Sequence, residues 1–460
     1  MTPKEKALAW VDEHFDECLA ELKNAVACES YAGNEAGLEK MRDTLEADLR
    51  RSGLVTQRHP VEGGNALISA SLAGDAPETL LFYNHYDVVL PGKTQNWANG
   101  APFSVDERDG FLYGRGVSDD KGGLYYRIHA VRAMMEANGR VPLNLKFLVE
   151  GDEETSSPSM SRFAREHVSE FKELTAADVC LWENGCNDAA GHPFLRCGVR
   201  AAVAFDLRVT TAKSDVHGRM GATVPSASWR LIWALASLKD AQTERVTIDG
   251  FYDDVLPVTE ADRQVLRDFP SDEARMKEAL QLKSFVRGAT GEQLKQQMYM
   301  EPSFSVCALE AGEPHNGVRG IVPHTAYARI SFYLVANQDP DDIEKKLRAH
   351  LQSRGFGDVE VTRCGGESRP VRTPPDHPFR FRACEAASRV YDKPMVIELT
   401  QMGAGPASVL ADAWPELPIF GMGPANTTAN HHAPEENMKI EHYKNAIKCL
   451  IELCYSYTEQ

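Results

Sequence analysis

Thr79–Asp87 reads TLLFYNHYD, an apolar run that stops at a histidine and an aspartate. Three further stretches do the same. Leu143–Glu154 reads LNLKFLVEGDEE, Asp178–Glu183 reads DVCLWE, and from Leu417 the chain opens as LPIFGMG and runs on into NHHAP, which contains His432. Short, continuously apolar runs of this kind are expected for strands buried on both faces of a sheet. Helical patterns lie between them, which makes α/β units the expectation. In open α/β sheets, ligands bind beyond the carboxyl ends of the strands. That is where these acids and histidines fall. With Asp119 from GRGVSDDKGG, the set is His85, Asp87, Asp119, Glu153, Glu154, Glu183 and His432.

The strand runs belong to a chain of 460 residues, long enough for two domains. Hydrophobic residues at 43% and charged residues at 25% describe an ordinary globular composition. The 67 acids against 50 bases give a formal charge of −17, which argues against nucleic acid as a partner. The N-terminal MTPKEKALAWVDEHFDECL has no apolar core of signal-peptide type. No run of about 18 apolar residues marks a membrane span. The ten cysteines include no CxxC, so reduced buried thiols in a cytoplasmic protein are expected.

The pattern predicts helices over 4–28, 35–52 and 121–138. From Gly198 its character changes. AAVAFDLRVT alternates as a strand, SASWRLIWALASLKD is helical, and AYARISFYLVA is again a strand. DPDDIEKKLRAHLQSRG then has an acidic helix start and a glycine stop, and VEVTRC closes the series. This order resembles a β-α-β-β-α-β α+β sandwich of the ferredoxin-like kind. A charged stretch at about 240–300 reads as an insertion. From about 367 the α/β pattern resumes, with a helix in HPFRFRACEAASRVYD, strands in MVIEL and LPIFGM, and a last helix over 441–457. The expected organisation is a catalytic domain in two parts, 1–197 and 367–460, split by an inserted domain at 198–366.

The strand-end residues suit metal chemistry. His85 and Asp87 are two apart and point the same way on a strand, so Asp87 can accept the second ring N–H of a metal-bound His85. Glu153 and Glu154 can divide labour at a strand end, one on a metal and one free to take a proton. Asp119 precedes a predicted helix start and reads equally as an N-cap or a ligand. One carboxylate shared by two metals, with two further ligands on each, needs five residues. His85, Asp119, Glu154, Glu183 and His432 supply that count. Nitrogen and oxygen donors without thiolate suit two Zn2+, with Mn2+ or Co2+ as substitutes.

NHYDVV, Trp97, Pro102–Phe103, DGFLYGRGVSDDKGG, EGDEETSS, VHGRMGATVPSAS, LVANQDP and HAPEEN follow one another along the chain. In this it resembles the zinc-dependent aminoacylase/carboxypeptidase/dipeptidase family, which includes carnosinase-type dipeptidases, carboxypeptidase G and succinyl-diaminopimelate desuccinylase. The resemblance implies a di-zinc exopeptidase-type α/β catalytic domain split by an inserted lid and dimerisation domain. It implies that His85, Asp119 and Glu183 bind one zinc and that Asp119, Glu154 and His432 bind the other. Asp87 would orient His85, Glu153 would be the general base, and the Asp119–Asp120 peptide would be cis. The HAPxE register favours His432 over His431. His217 would reach the site of a partner subunit in a homodimer and stabilise the oxyanion.

The expected activity is therefore a metallopeptidase or amidohydrolase acting on a small peptide, of dipeptidase or carboxypeptidase type. Three departures touch substrate recognition. Tyr333 stands where dipeptidase relatives carry a carboxylate-gripping arginine. QMGAGP places Gln401, Met402 and Ala404 at the altered positions of a glycine-rich loop that binds the same carboxylate in relatives. Gly320 replaces a threonine. Bidentate arginine contacts are thereby lost, with Arg319 and Arg200 as candidate substitutes. An N-acyl amino acid deacylase is the alternative, and Glu183 is compatible with it. A metal-binding scaffold without catalysis is the third reading, and an intact Glu153 counts against it.

Overall fold

Apolar runs that cannot face water on either side pair with one another, and here they form an eight-stranded sheet. In chain order its strands are β1 (Val55–His59), β2 (Leu67–Leu72), β3 (Ala76–His85), β4 (Leu143–Glu150), β5 (Val179–Trp182), β6 (Phe194–Arg196), β7 (Val396–Glu398) and β8 (Ile419–Gly421). The structure is a computed structural model, and it describes residues 1–183, 185–270, 273–312, 319–366 and 368–458. Position 367, where the catalytic pattern was expected to resume, lies outside the described residues, as do 271–272 within the charged stretch.

The sheet order is β1-β2-β4-β3-β5-β8-β6-β7. β4, β3, β5 and β8 are mutually parallel. β1 and β2 add an antiparallel edge. Leu80, Leu81, Phe82 and Tyr83 of β3 are buried, as are Phe147, Leu148 and Val149 of β4. The parallel strands therefore bring their carboxyl ends to one edge of a solid core.

The helix Lys121–Asn138 crosses over between β3 and β4 and buries every side chain from Lys121 to Met134. Gly139 ends it with φ 69°, the left-handed cap that only glycine adopts without strain. The single helix expected over 4–28 is two, Pro3–Glu13 and Phe15–Val26. The break is at His14, whose backbone leaves the helical region while its Nδ1 pairs with the Trp10 carbonyl at 3.0 Å. Among the described residues no helix is long and apolar enough to cross a membrane. All ten cysteines are free and most are buried.

The chain forms two compact units. The first comprises Met1–Gly198, Arg372–Leu399 and Pro406–Gln460 and contains the eight-stranded sheet. The second comprises Val199–Val371 and Thr400–Gly405. Its sheet runs in the order Ser303–Ala311, Thr325–Leu334, Gly198–Thr210, Glu360–Gly365, all antiparallel. The helices Ala227–Ser237 and Pro340–Ser353 complete a β-α-β-β-α-β order. Phe205, Leu207, Leu231, Ile330, Phe332 and Leu347 lie in its core. Ser303–Ala311 is the strand that the alternation did not reveal. It is an edge strand exposed along almost its whole length, so it carries no apolar-in, polar-out rhythm. Gln401–Ala404 pairs in parallel with Val199 and Arg200 of the same unit.

Candidate metal centre

β3 ends at His85, β4 at Glu150 and β5 at Trp182, three neighbouring parallel strands stopping on one edge. Glu153 and Glu154 follow β4 in a single 3-10 turn, Glu153–Thr155, and Glu183 directly follows β5. Asp119 sits before the helix Lys121–Asn138, and His432 lies in the segment after β8.

These side chains converge on Asp119. Its Oδ1 is 3.3 Å from His85 Nε2, and its Oδ2 is 3.3 Å from His432 Nε2. Glu183 Oε2 is 3.3 Å from His85 Nε2, and Glu154 Oε2 is 3.1 Å from His432 Nε2. One aspartate thus faces two histidines, each of which has a further carboxylate beside it. Single donor atoms of His85, Asp119 and Glu154 lie within 4.8 Å of one another, and so do those of His85, Asp120 and Glu183. His85, Asp119 and Glu183 are buried, whereas the His432 side chain is 57% exposed.

Asp87 was expected to take the second ring N–H of His85 on its carboxylate. The nearer partner of His85 Nδ1 is the Asp87 backbone carbonyl at 3.0 Å, with carboxylate Oδ1 at 3.4 Å. The Asp87 carboxylate instead accepts the backbone N–H groups of Glu153 at 3.2 Å and Glu154 at 3.1 Å. Asp87 therefore ties the end of β3 to the turn that carries both glutamates. His431 is a neighbour of the cluster: its Nε2 is 3.0 Å from Ser118 Oγ and its Nδ1 is 4.0 Å from Asp119 Oδ2. The Asp119–Asp120 peptide is cis.

Burying this many acids has an electrostatic cost. Burial opposes charge on His85, but Glu183, Asp119 and Asp87 hold its pKa well above the ordinary range. Burial acts to raise Asp119, and hydrogen bonds from His432 and His85 bring it well below. Hydrogen bonds to Asp119 and Glu154 raise His432 to about 10. Burial, with Glu153 nearby, pushes Glu183 well up. Burial also drives Glu153 up to about 8, His85 opposing while Asp119, Glu154 and Asp87 add to it. An acidic pocket of this kind stabilises cations. Glu154 Oε1 is buried and has no hydrogen-bond partner among the described residues, which leaves it as an acceptor for a cation.

Several residues to which the sequence reading gave no role at the site hold this geometry. Asp120 is buried and accepts from Asn84 Nδ2 at 2.6 Å, and burial lifts its pKa to about 7. Gly123 makes room for it: a Cβ there would lie 1.9 Å from Asp120 Oδ1, so the second glycine of DDKGG is needed for a close approach. Arg127, fully buried, donates to the carbonyls of Tyr83 (2.8 Å), Leu181 (3.0 Å) and Trp182 (2.7 Å) and to Asn84 Oδ1 (2.8 Å). It joins the ends of β3 and β5 just where His85 and Glu183 emerge. Glu436, with no exposed surface, accepts from the loop that carries Asp119. The sequence signal for Glu436 was its place in HAPEEN. Nothing local distinguished Arg127 from any other helical arginine.

In the second unit, His217 is exposed, and its Nδ1 accepts from the Arg219 N–H at 3.2 Å, which places its ring proton on Nε2. Tyr333 is 38% exposed. Arg200, a candidate substitute for the missing arginine, is buried and donates to the carbonyls of Met298 at 2.5 Å and Glu301 at 3.2 Å.

The strand-end cluster lies inside a stretch, residues 81–456, that matches the family model described as peptidase family M20/M25/M40. The chain belongs to this family. As an M20/M25/M40 member it is a hydrolase, and its mixed α/β fold is that of the family's solved structures. It is 30% identical over 419 residues to the cysteinylglycine-S-conjugate dipeptidase of Corynebacterium striatum, covering 88% of this chain and 87% of that one. To the beta-Ala-His dipeptidase of Mus musculus it is 27% identical over 368 residues, 76% of this chain and 73% of the relative. Among solved structures it resembles the M20 family metallo-carboxypeptidase Sso-CP2 of Sulfolobus solfataricus, with TM-score 0.86, 29% identity, and coverage of 96% and 99%.

Proposed function

We propose that this M20/M25/M40 member is a two-metal dipeptidase, hydrolysing the amide bond of a small peptide. The observation that carries the reading is Asp119, which turns one oxygen to His85 and the other to His432. In this reading His85, Asp119 and Glu183 hold one divalent ion, and Asp119, Glu154 and His432 hold the second. The all-nitrogen-and-oxygen donor set and the unpartnered Glu154 Oε1 suit two Zn2+, with Mn2+ or Co2+ able to replace them. Such ions polarise the scissile carbonyl and lower the pKa of water toward neutrality. Glu153 takes the proton of the attacking water and returns it to the leaving amine. Its position supports this role, because Asp87 fixes its backbone N–H beside the cluster. Asp87 also steadies His85 through its carbonyl. His217 of a second copy of the chain, protonated on Nε2, would donate to the developing oxyanion. The names of the Corynebacterium and mouse relatives point to dipeptides as the substrate class.

A deacylase acting on N-acyl amino acids is the second reading. It is favoured by Tyr333 at the arginine position and by Arg200, whose donors serve the Met298 and Glu301 carbonyls. One experiment addresses both readings. Metal content and turnover are measured for wild type and Glu153→Gln on free dipeptides, carboxyl-blocked dipeptides and N-acyl amino acids. The variant is expected to keep two ions per chain and lose about 10²–10⁴-fold in kcat. Full activity of Glu153→Gln removes the base assignment. A clear preference for N-acyl amino acids over all dipeptides replaces the first reading with the second.

A further inference from the structure

His432 is the most exposed member of the cluster, yet its ring lies within 3.3 Å of Asp119 and 3.1 Å of Glu154. The segment around it is conformationally demanding. Asn430 (φ 56°), His432 (φ 61°) and Glu435 (φ 60°) are all left-handed without being glycine. Such backbone persists only when its surroundings over-determine it.

What holds it is a buried carboxylate four residues on. Glu436 Oε2 accepts from Arg115 Nη1 at 2.5 Å and from the Gly116 N–H at 3.0 Å. Its Oε1 accepts the N–H groups of Ser118 and Asp119, both at 2.9 Å. Arg115 Nη2 donates to the Ala433 carbonyl at 3.2 Å, and the Glu436 carbonyl accepts from the Gly114 N–H at 3.0 Å. Arg115 and Glu436 have almost no exposed surface. The loop that carries Asp119 and the loop that carries His432 are thus joined through one buried pair, in which both Glu436 oxygens accept and both terminal Arg115 nitrogens donate. The His85–Glu183 side of the cluster is held separately, by Arg127 at the ends of β3 and β5.

We infer that Glu436, with Arg115, is a positioning pair that sets the separation of Asp119 and His432 and so tunes the ion on the His432 side more than the ion on the His85 side. The inference rests on the two-metal reading. Supporting groups behind ligands commonly change metal affinity about 10- to 100-fold.

Zn2+ binding to the metal-stripped full-length protein is measured by competition with a chromogenic chelator, for wild type, Glu436→Gln and Arg115→Lys. Thermal unfolding of each stripped protein reports the fold alone, and visible spectra of the Co2+ forms report coordination geometry. In Glu436→Gln one of the two zinc dissociation constants should rise about 10- to 100-fold and the other far less, with an altered Co2+ spectrum. Arg115→Lys keeps the positive charge and the backbone donors to Glu436, and should show the same split at smaller size. Unchanged constants, or two constants that rise together in proportion to lost thermal stability, overturn the inference. Should Glu436→Gln not fold, Arg115→Lys decides by the same criteria. Wild type that binds no zinc and cleaves no amide refutes the two-metal reading instead, so the two failures are told apart.

Discussion

Asp119 presents one oxygen to each histidine, whereas His85 and His432 each approach only one of its oxygens. That asymmetry separates the substitutions. Asp119→Ala removes a donor common to both ions, so it is expected to leave fewer than one ion per chain. His432→Ala removes a donor from one ion alone, and close to one ion per chain should remain. Turnover should fall by several orders of magnitude in both. Elemental analysis after exhaustive dialysis distinguishes them, and equal loss of both ions in His432→Ala contradicts the division. Asp120, next in the chain, is not equivalent to Asp119. It accepts from Asn84 and lies over the glycine-relieved start of the helix Lys121–Asn138. Two adjacent aspartates thus have different tasks, which no reading of DD alone could assign.

At the scale of elements, the helices Phe15–Val26 and Lys121–Asn138 are joined by a partly buried ion group. Arg132 Nη1 lies 2.6 Å from both oxygens of Glu21, and His129 Nε2 lies 3.0 Å from Oε2. Tyr443 OH is 2.8 Å from His129 Nδ1. Burial acts to raise the Glu21 pKa, but the hydrogen bonds from His129 and Arg132 outweigh it and bring the value to about 2. A carboxylate depressed in the folded state stabilises it above the unfolded pKa, near 4.5, and loses that contribution as pH falls toward 2. The shift corresponds to roughly 3 kcal/mol. Glu21→Gln should therefore cost stability at neutral pH and lose less of what remains between pH 4.5 and 2, as followed by urea unfolding at several pH values. Parallel curves for variant and wild type would exclude this role. The same elements show what the sequence could disclose. The helices 35–52 and 121–138 were expected nearly as they stand, at Glu35–Arg51 and Lys121–Asn138, because their patterns are long and end in clear stops. Strand ends could be located because each apolar run gives way to acids and histidines, which here gather in a largely buried cluster and not at the solvent boundary. Ser303–Ala311, exposed on an edge, left no periodic mark. Arg127 and Glu436 work through contacts distant in sequence, Arg115 and Glu436 being 321 residues apart, and their types alone carry no signal of that.

At the scale of the whole molecule, every proposed metal donor lies in the first of the two units, although they are spread from His85 to His432. Metal binding is then folding energy for that unit, because the five donors come together only when β3, β4, β5 and the loops after them are in place. A ligand that binds only the folded state adds RT ln(1 + [L]/Kd), about 2.7 kcal/mol at one hundred times Kd. For a unit of this size each kcal/mol raises Tm by roughly 2–4 °C, so each bound Zn2+ at that excess should raise the midpoint by about 5–10 °C. Calorimetry of stripped protein with and without Zn2+ measures the rise, and His85→Ala, which removes a donor from one ion alone, should lose about half of it. Hydrogen exchange then assigns it. Peptides covering Ala76–His85 and Leu143–Glu150 should exchange more slowly with Zn2+, and those covering Thr325–Leu334 in the second unit should not. Equal protection of both sets would show that the metal acts on the fold as a whole and not through the five donors, and no change in either set would leave the cluster without its proposed ions.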